Sequence, residues 1–251
     1  MLGAQLNEPC TILRVVSAVM DRPTEDYLAG SELSIFATRL MDQIDVNLRT
    51  VAGFDLGGGR ASGAAAAVIV ETLTLQITEL ENAIDLRRDG GWGGRIHKQK
   101  QALAGVVEGR LRELAKLQSA ALPSHRVRVA RSFVSEPQLM IEPDAKHVDR
   151  CRSLLAFAAG IRASANYGGF SSTRFKVLEK AGEILDQYVE DVLAMVRDHD
   201  VADRELAARY LQVAAEFAEP IHDARAGEIV RRRTATALSI VKSERSLPEE
   251  P

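Results

Sequence analysis

Aromatic side chains are scarce in this sequence: Phe, Tyr and Trp together make 5% of it, and there is one Trp. A core without large rings is filled by Leu, Ala, Val and Ile, which suits helices that approach closely through small residues. Cysteine is nearly absent. Cys10 and Cys151 stand far apart, so neither a disulfide framework nor a closed zinc site is spelled out, and a reducing compartment is expected. Long hydrophobic runs are also missing. The longest uncharged apolar stretch, 61–70, covers ten residues, about half of what a hydrocarbon layer requires, so no membrane span is expected. Residues 1–10 lack the basic start and apolar stretch of a secretory signal. These absences point to a cytoplasmic protein, and the excess of 25 Arg over 7 Lys fits a GC-rich bacterial source.

What is present is a chain of 251 residues, 46% hydrophobic and 27% charged, enough to bury a core without metals or disulfides. Its formal net charge of -3 conceals a segregation. Residues 1–84 carry 5 basic and 11 acidic side chains, residues 85–132 carry 11 and 4, and residues 133–251 carry 16 and 20. An anionic partner would meet the central segment.

Periodicity points to an all-α bundle of about seven or eight helices. Residues 11–20 are apolar and β-branched, and spacing alone leaves them open between helix and strand. A stripe of Leu33, Phe36, Leu40, Ile44 and Leu48 predicts a helix starting near Ser31. A long antiparallel helical hairpin is expected over about 62–120. Its first stripe is Ile69, Leu73, Ile77, Leu80 and Ile84, its second runs from Ile96 through Leu103, Val107, Leu111 and Leu114 to Leu117, and the chain turns at Asp89-Gly90-Gly91-Trp92-Gly93-Gly94. Alternation at Arg126-Val127-Arg128-Val129, between Pro123 and Pro143, predicts an extended linker or small β-hairpin near 125–142. Beyond it lie a helix over about 144–164, a coiled-coil-like seam of Phe175, Leu178, Gly182, Leu185, Val189, Val192 and Val196, a helix whose N-terminal cap is made by Asp200 with Asp203, and a last helix over 221–241. The expected organisation is therefore an N-terminal helical unit (1–123), the segment 124–142, a C-terminal bundle (143–242) and a disordered polar tail (243–251).

Candidate functional residues are few. Trp92, flanked by glycine pairs at an expected hairpin tip, is a candidate partner contact together with Arg95, and Arg126, Arg128 and Arg131 form the basic face of the extended segment. Two carboxylate-x-x-His pairs, Asp144 with His147 and Glu219 with His222, have the spacing used by di-iron bundles. Both sit beside a proline at an expected helix start, whereas such ligands come from helix middles, so no metal or other cofactor is expected. The string Asp55-Leu56-Gly57-Gly58-Gly59-Arg60 lacks the Lys-Ser/Thr ending of a phosphate-binding loop, and no nucleophile motif is present. The leading expectation is a non-enzymatic interaction or scaffold protein that binds a protein partner or a second copy of itself through amphipathic helices. A nucleic-acid-associated regulator acting through 85–132 is the alternative, and a metal-dependent helical enzyme the third.

Overall fold

A computed structural model describes residues 9–129 and 132–244, and they form the expected all-α architecture with one small β-hairpin. Eleven α-helices follow in order among the described residues: α1 (Pro9–Met20), α2 (Glu25–Ala29), α3 (Ser34–Ala52), α4 (Gly59–Ala83), α5 (Gly91–Arg112), α6 (Leu114–Ala121), α7 (Ala145–Gly160), α8 (Ala165–Gly168), α9 (Ser171–Arg197), α10 (Arg204–Ile221) and α11 (Ala224–Glu244). Strands β1 (Ser124–Val129) and β2 (Ser132–Pro137) pair antiparallel between α6 and α7. The predicted tail falls outside the described residues from position 245 on.

The chain divides into two compact units, each drawn from several stretches. The first holds the described residues up to Phe54, Ala65–Arg110 and Gly160–Thr173. Residues 11–20 prove helical: α1 packs on α3, and the left-handed backbone of Asp21 (φ 48°) and Arg22 (φ 59°) ends it before Pro23. On α3 the buried face is Ala37, Leu40, Met41, Ile44, Leu48 and Val51, in steps of three and four as the spacing required. The hairpin of α4 and α5 is clasped by Lys100, whose Nζ donates to Glu81 Oε1 at 2.9 Å. Arg95 reaches back to α3, donating to Asp42 and Asp45 at 2.6 Å each, and Gln99 donates to the Met41 carbonyl.

The hairpin turn lies earlier than the glycines suggest. The chain leaves α4 at Ala83, and Gly91, Trp92, Gly93 and Gly94 already form the first turn of α5. The reason is Glu25. Its carboxylate, 4% exposed as a residue, accepts the backbone N–H of Trp92 at 2.6 Å, of Arg87 at 3.0 Å and of Gly93 at 3.2 Å, and so occupies the helix N-terminus where an anion is favoured. Glycine is required for that approach: Gly91 has φ +56°, and a Cβ there would lie 1.9 Å from Glu25 Oε1, while one at Gly93 would lie 1.9 Å from the Arg87 carbonyl. The glycines that a helix interior disfavours are here the entry fee for an N-terminus capped from a distant segment.

The second unit holds Asp55–Ala64, Leu111–Ala159 and the described residues from Arg174 on. Helices α10 and α11 form an antiparallel pair joined at His222 and Asp223. Of the expected Asp200 and Asp203 cap, Asp203 is the residue that caps α10, its Oδ1 accepting from the N–H groups of Glu205 and Leu206. The seam on α9 is buried from Leu178 to Val196, but Phe175 at its head is 64% exposed. Periodicity carried the stripe one turn too far, because what lies over a helix is decided by neighbouring chain rather than by its own spacing.

One helical stretch, 56–83, is long and apolar enough by length and composition to cross a membrane, and 39% of its most apolar window is buried within the protein. The same stretch carries Val70, Leu73, Ile77 and Leu80 in the core.

Candidate interaction site around the hairpin

The β-hairpin has a two-residue side-chain period, so its faces look into different surroundings. Cross-strand partners share a face: His125 stands opposite Glu136, and Arg126 opposite Ser135. The pair His125 and Glu136 lines a groove of about 630 Å³, and the pair Arg126 and Ser135 lines a separate cleft of about 460 Å³, while the terminal pair divides, Pro137 to the groove and Ser124 to the cleft. Both hollows lie within the second unit.

The groove is walled by the segment after β2 and by α10. Pro137 and Pro143 keep 138–142 out of regular structure, and the segment is held by the Gln138 N–H donating to the Pro123 carbonyl at 2.9 Å. Tyr210 on α10 donates its hydroxyl to the Ile141 carbonyl at 2.9 Å, and Arg209 pairs with Glu142. Leu139 turns inward and is buried, which leaves Met140 and Ile141 80% and 77% exposed on the lip. Leu139, Met195, Val201 and Tyr210 supply apolar wall, and Glu136, Asp144 and Asp200 make the rim acidic, Glu142 being matched by Arg209. Asp144 caps α7, its Oδ1 accepting from the N–H of Lys146 at 2.8 Å and of His147 at 3.3 Å. Those bonds hold its carboxyl below the usual carboxylate range, so it stays charged near neutral pH.

The residues singled out in the sequence are dispersed. Trp92, half-buried, and Arg95 belong to the first unit, and Arg126 and Arg128 to the second. Arg95 is committed to Asp42 and Asp45. Burial pulls the Asp45 carboxyl up, but hydrogen bonds from Arg95 and Gln99 outweigh it and hold Asp45 below its ordinary value. Arg87 and Lys100 are engaged by Asp26 and Glu81, so three cations of the basic segment meet acidic partners from 1–84. Arg126 lines the cleft, Arg128 is exposed on β1, and Arg131 lies outside the described residues.

The two carboxylate-histidine pairs are not brought together. Asp144 and His147 line the groove beside Tyr210, whereas Glu219 lies nine residues further along α10, roughly 14 Å away at helical rise. Glu219 accepts from Arg231 at 2.5 Å, and His222 Nε2 faces Asp186 Oδ1 at 3.3 Å. Among the described residues no group of three or more His, Cys, Asp or Glu is placed to hold a metal ion. Burial pushes the Cys151 thiol up to about 12, with Arg152 pulling weakly the other way, which keeps it protonated and unreactive. At the glycine string, Asp55 Oδ1 accepts the Gly57 N–H at 2.8 Å and serves as the local cap.

Sequence reasoning missed the lip. That Leu139 is buried while Met140 and Ile141 are exposed is set by the hydrogen bonds to Pro123 and Tyr210, which the spacing of residues does not announce. Comparison with protein-family models, with curated proteins and with solved structures found no match.

Proposed function

We propose that this chain is an interaction module whose groove takes an apolar segment of another protein, flanked by basic residues. The reading is carried by one observation: Met140 and Ile141 stand almost fully exposed on the lip of the groove, held there by the Tyr210 hydrogen bond instead of folding inward. Two adjacent exposed aliphatic side chains over an apolar hollow provide a small desolvation site of the kind that anchors a partner, and methionine adapts to varied shapes. The acidic rim selects the partner's charge, since a basic flank is attracted and an acidic one repelled. A nucleic-acid role through 85–132 draws less support, because Arg87, Arg95 and Lys100 are already paired within the protein.

The test uses synthetic peptides of alternating Leu and Lys, and of alternating Leu and Glu, titrated into the full chain by fluorescence anisotropy. The Lys peptide is expected to bind saturably, more weakly at high salt, and at least about tenfold more weakly to the Met140→Asp, Ile141→Asp double variant, a loss of about 1.4 kcal/mol. Both side chains are exposed, so the variant keeps its fold. Equal binding of the Glu peptide, no binding of either, or undiminished binding to the variant overturns the proposal. A dimeric mass by light scattering that collapses in the same variant would assign the groove to a second copy and overturn it as well.

A further inference from the structure

The cleft on the other face of the hairpin has a different chemistry. Its walls come from α6, the hairpin and α9, all in the second unit. Two buried residues line it with unmet hydrogen-bonding capacity. Gln118 on α6 is 1% exposed; its Nε2 donates to the Ala181 carbonyl at 2.9 Å, while its Oε1 has no partner among the described residues. Tyr188 on α9 is 5% exposed and its hydroxyl has no partner there either. Five side-chain atoms among the described residues are left this way, and two of them belong to this one cleft. A buried polar group without a partner is disfavoured, and both atoms are closed to solvent, so a ligand gains the missing bonds as the side chains over them give way. Burial first, and Tyr210 second, push the Tyr188 phenol up, so it stays protonated and able to donate.

Around these atoms the charges are of both signs. Arg126 on β1 has no acidic partner among the described residues, and Glu183 makes no ion pair among them either. Glu183 and Asp191 lie eight residues apart on one face of α9, about 12 Å along the helix, with Gln187 between them donating to Asp191 Oδ1 at 2.7 Å. A guanidinium on one wall and carboxylates on the facing helix, with an orphaned amide oxygen below, match a ligand that carries a carboxylate and an ammonium group together.

We propose that this cleft is a binding site for a small zwitterion, of which a free α-amino acid is the simplest form: its carboxylate on Arg126, its ammonium group toward Glu183, and one N–H on Gln118. The site is independent of the groove and of any partner docked there. The free α-amino acids, each with its deaminated acid and its decarboxylated amine, are titrated one at a time into the full chain by calorimetry and by ¹⁵N–¹H NMR. At least one amino acid is expected to bind at 1:1 stoichiometry and to shift the Gln118 side-chain amide resonance, with both of its truncated analogues at least about tenfold weaker. Arg126→Ala and Glu183→Gln, both at exposed positions and so compatible with the fold, are each expected to weaken binding by about tenfold or more. No saturable binding by any amino acid up to about 10 mM, where the binding free energy is below about 3 kcal/mol, overturns the proposal. So does undiminished binding to Arg126→Ala, or equal binding of the deaminated acid.

Discussion

Glu25 shows how much of this fold rests on single side chains. It sits at the start of one short helix and accepts three backbone N–H groups at and before the start of another, 62 to 68 residues away. Charge-assisted bonds to a buried carboxylate are worth more than ordinary ones, so Glu25→Ala is expected to lower stability by about 2–3 kcal/mol, read from the denaturant midpoint. A cost below about 0.5 kcal/mol would mean that water serves the α5 terminus equally well. Cys151 makes the opposite point, because its environment silences it. With the thiol raised from 9.0 to about 12, its thiolate at pH 8 is roughly a thousandfold scarcer than at an exposed cysteine. In a Cys10→Ser background, a thiol-disulfide reagent is expected to label Cys151 only once denaturant has opened the fold. Rapid labelling of the native protein at pH 8 would contradict the burial.

At the scale of the element, spacing told which helices exist and left open which residues they bury. Leu185 and Phe175 belong to one predicted seam on α9, yet Leu185 is buried and Phe175 lies open. Leu185→Ala is expected to cost about 3 kcal/mol, by lost burial and the cavity left behind, and Phe175→Ala less than about 0.5 kcal/mol. Thermal unfolding of the two variants side by side checks the contrast, and equal losses would restore the whole seam to the core. The hairpin is the same lesson at strand period. The alternation at 126–129 was legible as an extended segment, but the register that sets Arg126 opposite Ser135 and His125 opposite Glu136, and so creates two unlike faces, was not. Register depends on the turn and on what packs against each face.

Over the whole molecule, part of the segregation of charge along the sequence becomes complementarity in space. Arg87, Arg95 and Lys100 of the basic stretch pair with Asp26, Asp42, Asp45 and Glu81 of the acidic one. With those cations engaged and a net charge of -3, the chain is expected to bind a duplex DNA probe no more tightly than about 10⁻⁴ M at physiological salt, the weak end of non-specific association. Anisotropy across a salt series measures this, and a steeply salt-dependent micromolar affinity would revive the nucleic-acid reading.

Taken alone, the sequence determined the class of fold, the helical hairpin, a helix start within Asp200 to Asp203 and the place of the extended segment. Those follow from local periodicity and turn chemistry, which neighbouring residues carry between them. Only the tertiary structure decided that Glu25 caps α5, that Met140 and Ile141 face outward, and that Gln118 and Tyr188 end beside Arg126. Each of these joins residues remote in sequence, and burial and hydrogen bonding at such a distance depend on which surfaces meet when the chain closes on itself.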